Sequence, residues 1–202
     1  MAARGSDALA AGVGRTYDDR IDATIPYPDP PLGTSTFVLR RFGPGDFDAA
    51  KEFGRDPATA LWVPPLPAED PGEVVELFEQ YRTSGEMLHL VIAAVGTDDY
   101  LGEVMVAVGE HRVGEFGCGV VSDGRGRGIA TEALRLLTRW SAAVLNLARL
   151  QVLVAETNEP ALRLAERVGF RREGLLRAYW GNDESRFDVV MLSMLPEEMP
   201  AQ

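Results

Sequence analysis

The sequence predicts an α+β chain with a mixed, mostly antiparallel central sheet flanked by helices. Three observations predict it. The runs MLHLVIAAV, YLGEVMVAV and GEFGCGVV follow one another across short turns, which makes them antiparallel neighbours. Residues 129–147 place Ile129, Ala133, Leu137, Trp140, Val144 and Leu147 on one side of an amphipathic helix. The strand-like run RLQVLVAE follows, and the connection within 114–156 is long enough for a parallel crossover.

In chain order, residues 1–33 are rich in Ala, Gly, Asp and Pro and end in YPDPPLG. Such a stretch has little to bury and favours extended backbone, so it reads as a flexible or draping arm ahead of a domain spanning 34–198. FVLRRF alternates like a strand. GPGDFDAAKEFGRD then gives a short helix with Phe47, Ala50 and Phe53 on one side. LWVPPLPAEDP is a proline-stiffened loop, and Glu73 to Arg82 is helical, with Val74, Leu77, Phe78 and Tyr81 at 3–4 spacing. After the three strands and the long helix, Pro160 to Val168 forms a second helix, with proline in its first turn and Gly169 as its cap. Strands around Leu175–Trp180 and Phe187–Leu195 close the order β-α-α-β-β-β-α-β-α-β-β.

Composition narrows the function classes. The 202 residues are 46% hydrophobic and 25% charged, ordinary for a globular chain. A formal charge of −11 argues against a nucleic-acid partner and suits a cationic one, although solubility alone accounts for many acidic surfaces. The single cysteine, Cys118, excludes an internal disulfide and Cys-rich zinc sites, and two histidines are too few for a His-rich metal site. No metal is expected. No apolar run reaches the ~18 residues of a membrane span, and the opening MAARGSDALAAGVGRTYDDR lacks a signal-peptide core, so a cytoplasmic location without membrane contact is expected.

The chemistry begins at SDGRGRGIATEAL, residues 122–134. Gly124, Gly126 and Gly128 alternate with Arg125 and Arg127 at a helix start. Glycine permits close backbone approach there, and a helix N-terminus attracts anions, so the stretch suits a phosphate. A P-loop would need Gly-Lys-Ser/Thr where this chain has Gly128-Ile129-Ala130. A dinucleotide fingerprint would need repeated βαβ units and G-x-G-x-x-G spacing, neither of which is present.

Arg125-Gly-Arg-Gly128-Ile-Ala130, continued by Thr131-Glu132-Ala133-Leu134, resembles the Arg/Gln-x-x-Gly-x-Gly/Ala signature of the GNAT superfamily of acyl-CoA N-acyltransferases. Asn158-Glu-Pro-Ala161, Glu166-Arg167-Val168-Gly169-Phe170 and Glu173-Gly174 are similar to the family's second block. Asp188-Val-Val-Met-Leu-Ser193, and TFVLRRF followed by Asp46, resemble the RimJ/RimL-like branch that acetylates ribosomal-protein N-termini. The resemblance covers roughly 36–195. It implies a GNAT-like fold for the 34–198 domain and acetyl-CoA as cofactor, with CoA as product. The backbone amides of the loop Arg125, Gly126, Arg127, Gly128, Ile129, Ala130 and Thr131 would hold the pyrophosphate at the helix N-terminus, with charge added by Arg125 and Arg127 unless their side chains are simply solvated. The backbone of Gly119, Val120 and Val121 would pair with the pantetheine arm where the strand splays from its neighbour, and Asn158 would lie near the cofactor. The family commonly dimerises, so a homodimer is expected.

Acyl transfer to an amine needs a base for the ammonium proton. Glu103, set in the apolar strand LGEVMVAV, is one candidate, with burial expected to raise its pKa. Glu115, opening GEFGCGV, is the other; for each, a solvent-facing place on the strand is the plain alternative. The pattern breaks at the leaving-group acid. Where many relatives carry Tyr this chain has Ala165, and where the ribosomal branch carries Ser it has Ala161. Tyr179, Ser185 or water would substitute, or CoA would leave as a thiolate without a dedicated acid. Trp62 and Trp180 are expected to line the acceptor pocket. The expected activity is acetyl transfer to a primary amine, foremost a peptide or protein N-terminal α-amine, by direct attack in a ternary complex. The alternatives are a small-molecule amine such as a polyamine or aminoglycoside, or a non-catalytic acyl-CoA-binding sensor module.

Overall fold

The computed structural model describes residues 24–63, 65–181 and 185–199, so the first 23 residues of the expected arm lie outside the described residues. Seven strands form one sheet: β1 (Phe37–Arg40), β2 (Met87–Ala94), β3 (Tyr100–Val108), β4 (Val113–Val120), β5 (Arg149–Ala155), β6 (Arg171–Gly181) and β7 (Arg186–Met194), in the spatial order β1-β2-β3-β4-β5-β7-β6. Every pairing is antiparallel except β4 with β5. The helices are α1 (Phe47–Arg55), α2 (Pro57–Ala60), α3 (Pro71–Thr83), α4 (Ile129–Val144) and α5 (Glu159–Val168). The expected α+β architecture is the observed one.

The apolar periodicity sorts the helices onto the sheet. Ile129, Ala133, Leu134 and Leu137 of α4 pack with Val104, Val106 and Phe116 in the larger core, which Leu162, Ala165 and Val168 of α5 extend. A smaller cluster of Phe42, Phe47, Ala50, Val74, Val91 and Ala93 joins α1 and α3 to the opposite face of β2. Hence β2 is buried on both faces and reads as an apolar run interrupted only by His89.

Helix ends explain where the sequence boundaries fall short. α3 starts two residues earlier than its apolar spacing predicts, because the Asp70 carboxylate accepts from the amides of Gly72 (2.8 Å) and Glu73 (3.1 Å) and Pro71 fits the first turn. α4 ends at Val144 rather than 147, and Asn146 takes a positive φ of 49°. The single turn of α2 has no apolar periodicity to announce it; Asp56 caps it through the Ala58 amide at 2.8 Å. β6 runs longer than Leu175–Trp180, with register shifts at Arg172/Gly174 and Leu176/Trp180.

Residues 24–27 lie along α3, and Leu32 and Gly33 reach β1, where the Leu32 carbonyl accepts from the Leu39 amide at 2.7 Å and Gly33 bridges to Val38. Ile25 is fully buried, its amide donates to the Arg82 carbonyl at 2.9 Å, and Arg82 Nη1 donates back to the Ile25 carbonyl at 2.6 Å. Tyr27 donates to Glu79 at 3.0 Å and lies under the Arg82 guanidinium at 4.7 Å. Arg40 holds the buried Asp46 bidentately at 2.8 and 2.9 Å, which fixes the entry to α1.

The feature that makes room for a ligand is the pairing of β4 with β5. It lasts only from Val113↔Arg149 to Glu115↔Gln151. Beyond Glu115, β4 stays paired with β3 as far as Val120, and β5 stays paired with β7 as far as Ala155. The two strands diverge, and the β5-facing backbone groups of β4 are left outside any ladder.

Candidate active site

Two cavities, of about 500 and 490 Å³, open at this divergence. They share walls made by Trp62, Val63, Gly119, Asn158 and Leu164. The first continues past Glu103, Glu115, His89 and Met105 toward Trp180; the second continues past Gly126, Gly128 and Thr131 at the start of α4.

Glycines shape both. On β4, Gly117 and Gly119 turn the same way as Glu115, because side chains alternate along a strand. A Cβ on Gly119 would stand 2.6 Å from the Phe53 ring, and one on Gly117 would stand 3.2 Å from Met105 Sδ. Bare backbone on that face is what leaves the floor of the first cavity open. At the second cavity, Gly126 (φ +73°) and Gly128 (φ +80°) hold left-handed backbone with nothing within 4 Å of either Cβ position. Gly128 is the N-cap of the 16-residue α4, and the first amide to close onto the helix is that of Glu132, to the Gly128 carbonyl at 3.0 Å. The amides before it project from the helix end, as an anion site requires.

Of the residues the sequence offered for the cofactor, Gly119, Val120, Arg125, Gly126, Gly128, Ile129, Ala130, Thr131 and Asn158 are brought together around the second cavity; Val121 and Arg127 line neither cavity. Arg125 is tied sideways, donating to Asp56 at 2.7 Å and to Thr59 at 3.0 Å, so its guanidinium clasps α2 to the loop. Asn158 caps α5 by accepting from the Ala161 amide at 3.3 Å. Arg163 and Arg167 also line this cavity and were missed by sequence reasoning. Their i,i+4 spacing on the polar side of α5 was the available signal.

Both candidate bases line the first cavity, as do Trp62 and Trp180, and Trp62 meets Phe187 of β7 edge-on at 6.1 Å. Tyr179 and Ser185 are not among its lining residues, and Tyr179 is 51% exposed. Glu115 accepts from Gln151 Nε2 at 3.1 Å. Glu103 accepts at Oε2 from His89 Nε2 (3.0 Å) and from the Tyr100 hydroxyl (3.2 Å). The expected upward shift of Glu103 is corrected. Burial does push its carboxyl up, but the hydrogen bond and electrostatic attraction of His89, with the Tyr100 hydroxyl, outweigh it and hold the group below its ordinary value. Burial and the same carboxylate push the Tyr100 hydroxyl up. The Cys118 thiol, which contacts the Ala130 carbonyl at 3.6 Å, is pushed up to about 12 by burial and by Glu103, which makes it a poor nucleophile.

His89 is the other residue that sequence reasoning missed. It is 8% exposed and stacks on Phe78 with ring centroids 4.1 Å apart and planes at 10°. Among the described residues no group of three His, Cys, Asp or Glu side chains gathers as a metal site, and no helix is long and apolar enough to cross a membrane.

Comparison with known proteins decides the family. Residues 36–171 match the model of the acetyltransferase (GNAT) domain. The chain belongs to the GNAT family. This GNAT chain is an N-acetyltransferase. It is 26% identical over 172 residues to the uncharacterized N-acetyltransferase p20 of Bacillus licheniformis, which covers 83% of this chain and 97% of the relative. It is 28% identical over 120 residues to the spermidine N(1)-acetyltransferase of Escherichia coli K12, covering 59% of this chain and 64% of that one. Mycobacterium smegmatis RimJ in complex with CoA-disulfide superposes with a TM-score of 0.71 at 26% identity, covering 82% of this chain and 85% of the other. The resemblance to the RimJ/RimL-like branch agrees with that GNAT neighbour.

Proposed function

We propose that this protein transfers an acetyl group from acetyl-CoA to a primary amine, foremost the α-amine of a peptide N-terminus, with Glu103 as the base. The observation that carries the reading is the pair of adjoining cavities: one ends on open amides at a helix N-terminus, the other on a carboxylate held ionised. The open glycine positions and projecting amides fit a pyrophosphate, so Gly126, Gly128, Ile129, Ala130 and Thr131 hold that end, with Arg163 and Arg167 at the rim. The unpaired backbone of β4 at Gly119 and Val120 holds the pantetheine arm. Acetyl-CoA supplies the activated acyl group when bound.

The chain's own residues supply the rest. Trp62 and Trp180 enclose the acceptor, and Glu103 accepts a proton from its ammonium so that the neutral amine attacks. Transfer is direct, since Cys118 holds its proton. Ala161 and Ala165 carry no donor, and the departing sulfur takes its proton from water. Glu103 and Glu115 are the only carboxylates among the first cavity's described lining, and its remaining wall is mostly apolar. That favours one ammonium beside an apolar segment over a polyamine, whose further charges would be buried without partners.

The test incubates the protein with acetyl-CoA and a panel of peptides, spermidine and an aminoglycoside, and measures free CoA. Peptides with free N-termini are expected to release CoA, and the same peptides acetylated beforehand are not. Faster release with spermidine would move the acceptor to a polyamine. Silence with every amine, while acetyl-CoA binds, would leave a coenzyme-binding module without turnover.

A further inference from the structure

His89 is buried, titratable and unused by the mechanism above. It sits on β2 two residues from Val91, the residue paired with Glu103 across β2 and β3. Its Nε2 meets Glu103 Oε2 at 3.0 Å, and since a carboxylate only accepts, that nitrogen carries the proton. The Tyr100 hydroxyl donates to the same oxygen at 3.2 Å. Two donors therefore converge on Oε2, while Oε1 has no hydrogen-bond partner among the described residues and Glu103 lines the cavity.

The other side of the imidazole shows that stability alone does not explain it. His89 Nδ1 is buried with no hydrogen-bond partner among the described residues. An apolar ring would stack on Phe78 and meet Phe42 edge-on equally well, without sacrificing a hydrogen bond. A buried polar atom left without a partner calls for a reason outside packing. The imidazole cannot act as the base itself, because one nitrogen is engaged and the other is sealed from the cavity.

We propose that His89 is the positioning residue for the base: with Tyr100 it clamps Oε2 of Glu103, so that Oε1 is aimed at the acceptor ammonium. The inference rests on the reading of Glu103 as base in amine acetylation. In the step it serves, one ammonium N–H proton passes to Oε1 and the nitrogen lone pair it leaves forms the new bond to the acyl carbon; the acyl C–S bond breaks with its electron pair on sulfur, which takes a proton from water, and the two hydrogen bonds at Oε2 stay in place. Glu115 lacks this arrangement. It receives one hydrogen bond, from a glutamine whose own oxygen is held by Arg149 Nε at 3.2 Å.

The titratable groups around Glu103 are His89 on β2, Tyr100 on its own strand, Cys118 and Glu115 on β4, and Tyr81 of α3 across the cavity, with Asp46 behind Tyr100. Against that background, His89→Phe keeps the stack and removes the donor, whereas His89→Gln keeps an N–H at the Nε2 position. Tyr100→Phe removes the second donor with little change in packing, and serves if the His89→Phe protein does not fold.

The decisive measurement needs no acceptor. In protein labelled with ¹³C at the glutamate carboxyls, the Glu103 signal, assigned through Glu103→Gln, is followed against pH. It is expected to titrate below the ordinary carboxylate range in the parent chain, above it in His89→Phe, and low again in His89→Gln, with Tyr100→Phe in between. Kinetics follow with a peptide bearing a free N-terminus: His89→Phe moves the acid limb of kcat/KM to higher pH and lowers it about a hundredfold at neutrality, the scale of a mispositioned base. His89→Gln brings the limb back, and acetyl-CoA affinity is the same throughout. A Glu103 titration indifferent to His89→Phe, or a His89→Gln protein as impaired as His89→Phe with an unmoved limb, overturns the proposal. Absence of turnover in the parent chain with a normal carboxyl response overturns the amine-acetylation reading while the clamp stands.

Discussion

Gly102 and Gly119 meet backbone to backbone beneath the candidate site: a Cβ on Gly102 would lie 2.2 Å from the carbonyl oxygen of Gly119. Gly102 also holds a φ of +145°, which L side chains rarely adopt. Gly102→Ala therefore combines strain with a clash that only a shift of β3 against β4 can relieve. A loss of at least about 1–3 kcal/mol is expected in urea denaturation, and an unchanged midpoint would show that the two strands separate there without cost.

Gly128→Asp separates stability from affinity. The position has space around it and a left-handed φ of +80°, which Asp tolerates better than most residues, so stability falls by about 1 kcal/mol. A carboxylate at the N-terminus of α4 repels a pyrophosphate, and acetyl-CoA affinity measured by calorimetry is expected to fall by about tenfold or more. Equal affinity in the variant would place the coenzyme elsewhere.

Much of this was legible in the sequence because it is local. The α4 stripe from Ile129 to Leu137, the proline and glycine that bracket α5, and the glycines before α4 each signal through near neighbours. Glu103 stood out as a charge in an apolar strand. Its partner did not, because His89 reaches it only through the register of β2 against β3, and a register is a long-range property. The same limit hid the role of Gly117, visible only once Met105 stands beside it, and gave the Glu103 shift the wrong sign, since burial can be guessed from a strand but its donors cannot. The early start of α3 was the exception, as Asp70-Pro71 is a readable cap.

Acid should loosen the β5–β6–β7 edge. Glu173 is held at about 2, first by the Arg149 guanidinium and then by the Ser193 hydroxyl, against an ordinary value of 4.5. A carboxyl depressed in the folded state contributes its stability above the unfolded value, and that contribution disappears as pH falls from about 4.5 toward 2. The side chain is 44% exposed, so water screens the pair and the contribution is under about 1 kcal/mol. Melting temperatures recorded between these pH values are expected to fall less steeply in Arg149→Ala than in the parent chain. Parallel curves would show that the pair contributes nothing.

Ile25→Ala tests how far toward the N-terminus the folded unit extends. The side chain is fully buried in the larger core, and its removal is expected to cost about 2–5 kcal/mol. Thermal unfolding checks this. A loss within about 0.5 kcal/mol, as at a surface position, would make the 24–33 segment an accessory to a domain that begins after it.

The partition between the two cavities carries a thermodynamic obligation. Trp62, Val63, Gly119, Asn158 and Leu164 belong to both walls, so a molecule in either cavity presses on groups that receive its neighbour. Two such occupants are coupled, and linkage makes the coupling mutual: the factor by which one changes the other's dissociation constant is returned unaltered. A substitution at Trp62 made to alter one affinity will therefore be read in the other as well.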